Sequence, residues 1–68
     1  MIERSRSTPL PALSVHRRKR GLTQRQLGEL AGVAHTTVQQ LESVKRGAYP
    51  QTLQKLATAL SVEPEDLL

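Results

Sequence analysis

At 68 residues, 37% hydrophobic and without a cysteine, the chain is sized for one small domain and has no means of forming disulfides, thiolate metal sites or a cysteine nucleophile. Its longest run of Ala, Gly, Val and Leu, Leu30 to Ala34, falls far short of the roughly 20 residues that cross a bilayer, and no apolar stretch follows Arg4 and Arg6 as a signal peptide would need. The formal charge of +4 is uneven: residues 1–34 hold seven basic and two acidic side chains, residues 35–68 three and four, so polyanions are the expected partners, nucleic acid ahead of an anionic membrane.

Residues 1–8 read as a flexible basic arm without periodicity, and residues 9–68 as the folded domain. Thr8-Pro9-Leu10-Pro11 opens the first helix, with Thr8 as a cap and both prolines in a first turn whose N–H groups have no helical partner. Leu10, Leu13 and Arg17 share one face, and Gly21 closes the element after the Arg17 to Arg20 basic run, which suits a helix carboxyl end. This predicts helix 1 over 10–20. Thr23 with Gln26 has the form of a capping box, Leu27, Leu30 and Ala31 supply an apolar face, and Gly32 ends a helix over 24–31.

Beyond Gly32, Val33 and Ala34, a third helix turns Val38, Leu41 and Val44 inward and His35, Thr36, Thr37, Gln39 and Gln40 outward. It is expected to run on to Arg46 and stop at Gly47. Pro50 opens a fourth helix with the stripe Leu53, Leu56, Ala57 and Leu60, and Pro64 starts a last short turn carrying Leu67 and Leu68. No segment alternates with period 2, so the fold class is all-α, five helices around one core. A lone aromatic, Tyr49, argues against RNA-binding sheets and single-strand grooves, which stack bases on several rings.

Two short helices joined by a three-residue turn containing Gly suggest a helix-turn-helix, at about 24–43. Counting from Gln24, a small residue stands four on (Gly28), a glycine eight on (Gly32), and apolar residues fourteen and seventeen on (Val38, Leu41). With Arg20 to Gln24, Leu27 to Val33, Leu41-Glu42, Lys45-Arg46, Thr52 to Ala57, and Leu60 to Val62 followed by Leu67-Leu68, the sequence resembles the Cro and phage-repressor (XRE-type) helix-turn-helix family from about Leu13 to Leu68. The resemblance implies a compact five-helix, lambda-repressor-like DNA-binding domain whose third helix enters the major groove.

The major groove admits an α-helix and shows a distinct donor and acceptor pattern for each base pair. His35, Thr36, Gln39 and Gln40 are the candidate base readers: glutamine can pair bidentately with adenine, and threonine offers a hydroxyl and a methyl. Gln24, at a helix N-terminus that favours anions, stands against a phosphate in the family; Arg25 beside it and Lys45 and Arg46 beyond helix 3 complete the expected phosphate contacts. The resemblance also pairs Arg17 with Glu42 in a partly buried structural ion pair. Val62, Leu67 and Leu68 are candidates for a dimer interface, with closure of the monomer's own core as the other reading.

The sequence departs from the family at four places. Ala34 replaces the usual Ser or Thr cap of helix 3, His16 takes a commonly apolar site, Ser43-Val44 stands for Asn-Gly, and the interval to Pro50 is longer. His16 is expected at the edge of the core, and Tyr49 is expected to pack rather than bind. His16 and His35 lack metal-ligand spacing, no nucleophile context surrounds any Ser or Thr, and Glu63, Glu65 and Asp66 read as a solvated helix-starting patch. No enzyme, metal or cofactor is expected. The function expected is a cytoplasmic, nucleoid-associated regulator, a repressor acting as a homodimer on double-stranded palindromic DNA. The alternatives are an antitoxin or adaptor that binds a toxin or other protein, and the DNA-binding half of a longer sensor.

Overall fold

The computed structural model describes residues 8–43 and 46–68. Four helices and a 3-10 turn follow one another: α1 (Leu13–Lys19), α2 (Gln24–Ala31), α3 (His35–Glu42), α4 (Pro50–Leu60) and the turn Pro64–Leu67. The first helix is shorter than its periodicity predicts, because each proline disfavours helical backbone in the residue before it and so holds Thr8 and Leu10 out of the helix. Thr8 is not a cap. It pairs with Ala48 in an isolated antiparallel bridge, N–H to carbonyl in both directions at 2.9 and 2.8 Å. Leu10 nonetheless reaches the core, fully buried, and Leu13 N–H bonds its carbonyl at 3.1 Å.

The second helix starts as its sequence dictates. Thr23 Oγ1 accepts from Gln26 N–H at 3.0 Å, while the Gln26 side chain accepts from Thr23 N–H at 2.9 Å. It ends on Gly32, whose φ of 70° is a left-handed conformation that costs a side chain about 1–2 kcal/mol. Val33 N–H then closes back on the Gly28 carbonyl at 2.8 Å. Leu22 on Arg17 and Val62 on Ala57 repeat this closure at the ends of α1 and α4, the latter with Ser61 in the left-handed position. Gly28 matters for a different reason: a Cβ there would stand 2.6 Å from the Val33 carbonyl oxygen, inside the turn that joins α2 to α3.

The core is Leu10, Leu13, Leu27, Ala31, Val38, Leu41, Ala48, Leu56, Ala57, Leu60 and Leu67. Helix α2 packs on α3 and on α4, and the closing turn packs on α4. A bond from Ala12 N–H to the Leu67 carbonyl, 3.2 Å, ties the head of α1 to that turn. Leu30 does not belong to the core: it is 63% exposed, because α2 buries Leu27, Gly28 and Ala31. At about 100° per residue, Leu30 lies roughly a quarter turn from the centre of that buried arc. It overlooks an open groove between α2 and α4 lined by Ala31, Pro50, Gln54 and Thr58.

Helix α3 does not continue to Arg46. Ser43 ends it, its N–H bonding the Gln39 carbonyl at 3.1 Å and its Oγ donating to the Gln40 carbonyl at 2.9 Å. The inward position expected for Val44 lies outside the described residues. Pro50 is the first residue of α4, as expected, and Tyr49 before it, which was expected to pack, is 44% exposed. In the closing turn, Glu63 N–H bonds the Asp66 carboxylate at 3.0 Å, which gives the acidic patch its helix-starting role.

Two substitutions test the turn. Gly32→Ala is expected to cost about 1–2 kcal/mol, a fall of roughly 5–15 °C in Tm for a domain of this size. Gly28→Val should cost about 2–3 kcal/mol or more by overpacking, read from the same thermal melts.

Candidate nucleic-acid interface

Helix α3 separates its residues by angle. Val38 and Leu41 are fully buried, and at about 100° per residue Thr36 stands opposite them, with Gln39 and Gln40 on either side and His35 at the margin. His35, Thr36, Gln39 and Gln40 are all exposed, while Thr37 is half-buried. The four candidate readers therefore form one outward face, mostly uncharged. The helix starts on Ala34 with no side-chain cap, as the alanine predicts.

What aims this face is a buried polar network. The Arg17 and Glu42 side chains retain 10% and 7% of their surface. Arg17 Nε donates to Glu42 Oε2 and NH2 to Oε1 at 3.0 Å, a bidentate pairing of α1 with the end of α3. Arg17 NH1 donates to the Leu22 carbonyl at 2.7 Å, and Gln24 Nε2 donates to Glu42 Oε1 at 3.0 Å. Helices α1, α2 and α3 thus converge on one carboxylate, and no buried side-chain nitrogen or oxygen among the described residues is without a partner.

Burial pushes the Glu42 carboxyl up, but hydrogen bonds from Arg17 and Gln24 and the charges of Arg17 and Arg18 more than offset it, holding it below the ordinary range. The bond to Glu42 raises the Arg17 guanidinium, against a smaller opposing effect of burial.

The expected phosphate contacts divide. Arg25 is exposed beside the α2 amino end. Gln24, half-buried, spends its amide on Glu42. Arg46 is exposed, and its NH1 donates to Gln40 Oε1 at 3.1 Å. Lys45 lies outside the described residues. Sequence reasoning missed the partners of Gln24 and Arg46.

Of the candidate dimer residues, Leu67 is fully buried in the monomer, Val62 is half-buried against the core, and Leu68 is 52% exposed. His16 is half-buried on α1. Among the described residues no group of three His, Cys, Asp or Glu could hold a metal ion, and no helix is long and apolar enough to cross a membrane.

Two short helices joined by a glycine turn, the second with its polar face outward, have the form of a helix-turn-helix. The helix-turn-helix family model matches residues 16–67, and the chain belongs to the Cro and phage-repressor (XRE-type) family of DNA-binding transcription regulators. Among solved structures it is similar to the restriction-modification controller protein C.AhdI from Aeromonas hydrophila, with 36% identity and a TM-score of 0.79 over 82% of this chain and 85% of that one. No curated protein sequence matches the chain.

The lowered Glu42 titration has a direct consequence. Its contribution to stability is complete above the ordinary value of 4.5 and is lost as the pH falls through the lower folded value. Glu42→Gln is expected to flatten that acid loss in melts from about pH 3 to 7. Glu42→Ala, which strands the buried guanidinium, should cost about 3–5 kcal/mol at neutral pH, measured by denaturant titration.

Proposed function

We propose that the chain is a sequence-specific, double-stranded DNA-binding regulator that acts as a homodimer, as a repressor on a two-fold operator. The carrying observation is the outer face of α3, where four exposed polar side chains stand opposite the buried pair Val38 and Leu41. In a major groove that face meets base edges, with Thr36 central and His35, Gln39 and Gln40 around it. Arg25 and the amino end of α2 supply phosphate contacts on one flank, and Arg46 with Lys45 is assigned to the other. Such contacts fix register and make affinity depend on salt, without carrying sequence.

The family resemblance, the exposure of Leu68 and the partial exposure of Val62 support a dimer at the carboxyl end, with Leu67 serving the core. Dimeric binding sets half-sites about one helical turn (34–36 Å) apart. The likeness to a restriction-modification controller protein makes the control regions of restriction-modification genes the first operators to try. A cytoplasmic, nucleoid-associated location and a non-enzymatic role follow from this reading.

Selection from random duplexes, repeated at several salt concentrations, tests the proposal. A palindromic consensus should emerge. Thr36→Ala should relax one base position in each half-site, at about 1–3 kcal/mol of lost discrimination for a good contact. Arg25→Gln should leave the consensus intact while the salt slope becomes shallower by about one per protomer. If no duplex is preferred over bulk DNA, the base-reading assignment fails.

A further inference from the structure

Arg46, from the loop after α3, donates from NH1 to the side-chain oxygen of Gln40 at 3.1 Å. The early end of the helix is what permits this contact. Had α3 run on to Arg46, the two residues would stand about 9 Å apart along the axis and about 120° apart around it, outside the i+3 and i+4 pairs whose side chains meet on a helix. Instead α3 ends at Ser43, whose Oγ donates to the Gln40 carbonyl at 2.9 Å, and the loop brings the guanidinium to the amide. Both residues are exposed, so the bond orders the surface of α3 and adds little to the core.

Arginine has only donors, so the bond settles which end of the Gln40 amide faces it: the oxygen. That oxygen keeps a second lone pair and the amide nitrogen keeps its N–H groups, so Gln40 still has an acceptor and donors for a base edge. What the bond takes away is freedom. An unheld glutamine turns about several bonds and can reverse its amide end for end, offering a donor or an acceptor at the same place, and it gives up that freedom only on docking. A held amide offers one arrangement. A base pair that matches it docks without further ordering, whereas one that needs the reverse must first break the bond to Arg46. Holding Gln40 through NH1 leaves the guanidinium other N–H groups for a phosphate.

Resting on the reading that α3 enters the major groove, we propose that Arg46 is a positioning residue for Gln40. A loop arginine assigned to phosphate thereby also governs discrimination at the base position that Gln40 reads. An arginine bound to phosphate alone would add affinity equally on every sequence.

The test measures binding of the full chain to its selected duplex and to duplexes carrying each other base pair at the position that Gln40→Ala levels. Arg46→Ala and the double variant are measured alongside, after circular dichroism and melting show each folded as the parent is. In Arg46→Ala the ratio between the best and next-best base pair at that position should fall about 2- to 13-fold, the net worth of one hydrogen bond. Adding Arg46→Ala to Gln40→Ala should change no base preference. The inference is overturned if Arg46→Ala leaves the ratio unchanged while affinity falls uniformly and the salt slope becomes shallower. A ratio that Arg46→Ala alters equally with Gln40 absent overturns it too, as does a Gln40→Ala variant that levels no position. Base reading by the rest of α3 survives each of these results. If the parent chain prefers no duplex over bulk DNA, the base-reading proposal falls and takes this inference with it.

Discussion

The carboxylate of Glu42 is the point on which the arrangement of the first three helices turns. It receives two bonds from Arg17 on α1 and one from Gln24 on α2, and it ends α3. Arg17 also holds the Leu22 carbonyl, so the link between α1 and α2 is fastened to the same group. An intact buried ion pair contributes little net stability, because desolvation cancels much of its attraction. Its value here is directional. Apolar side chains such as Val38 and Leu41 fix how deeply α3 sits, but they tolerate rotation better than a bidentate pair with set geometry does.

Around this hub the domain divides its tasks. The apolar residues of α2, α3, α4 and the closing turn make one core, and the glycine turn sets the approach of α2 to α3. Positive charge gathers on α1 and at the start of α2, close to the network, while the acidic residues 63, 65 and 66 sit on the closing turn at the far end of the sequence. The outer face of α3 carries few charges, so on the proposed reading long-range attraction and sequence discrimination reside on different elements.

Much of this was legible in the residues themselves. Thr23 and Gln26 announced the start of α2, Gly32 its end, Pro50 the start of α4, and the resemblance paired Arg17 with Glu42. The misreadings came from effects that local periodicity does not carry. Prolines 9 and 11 restrict the residues before them, which shortened α1 and made Thr8 a bridge residue. Leu30 fits an i, i+3 count, but the small residues Gly28 and Ala31 draw the neighbouring helices to the other side of α2. Helix α3 ends with Ser43 as its cap residue, where a longer helix was expected. The partners of Gln24 and Arg46 depend on how helices and loop meet in space, and no spacing rule along the chain specifies that.

The separation of faces on α3 bears on how such a protein changes over time. Val38 and Leu41 are answerable to the core, and Thr36, Gln39 and Gln40 are not. Substitutions on the outer face can therefore accumulate without spending the few kcal/mol that keep a domain this small folded. If that face reads DNA as proposed, recognition can drift, or be redirected by design, on a scaffold that stays the same. Related regulators can thus diverge in the DNA they address long before they diverge in architecture.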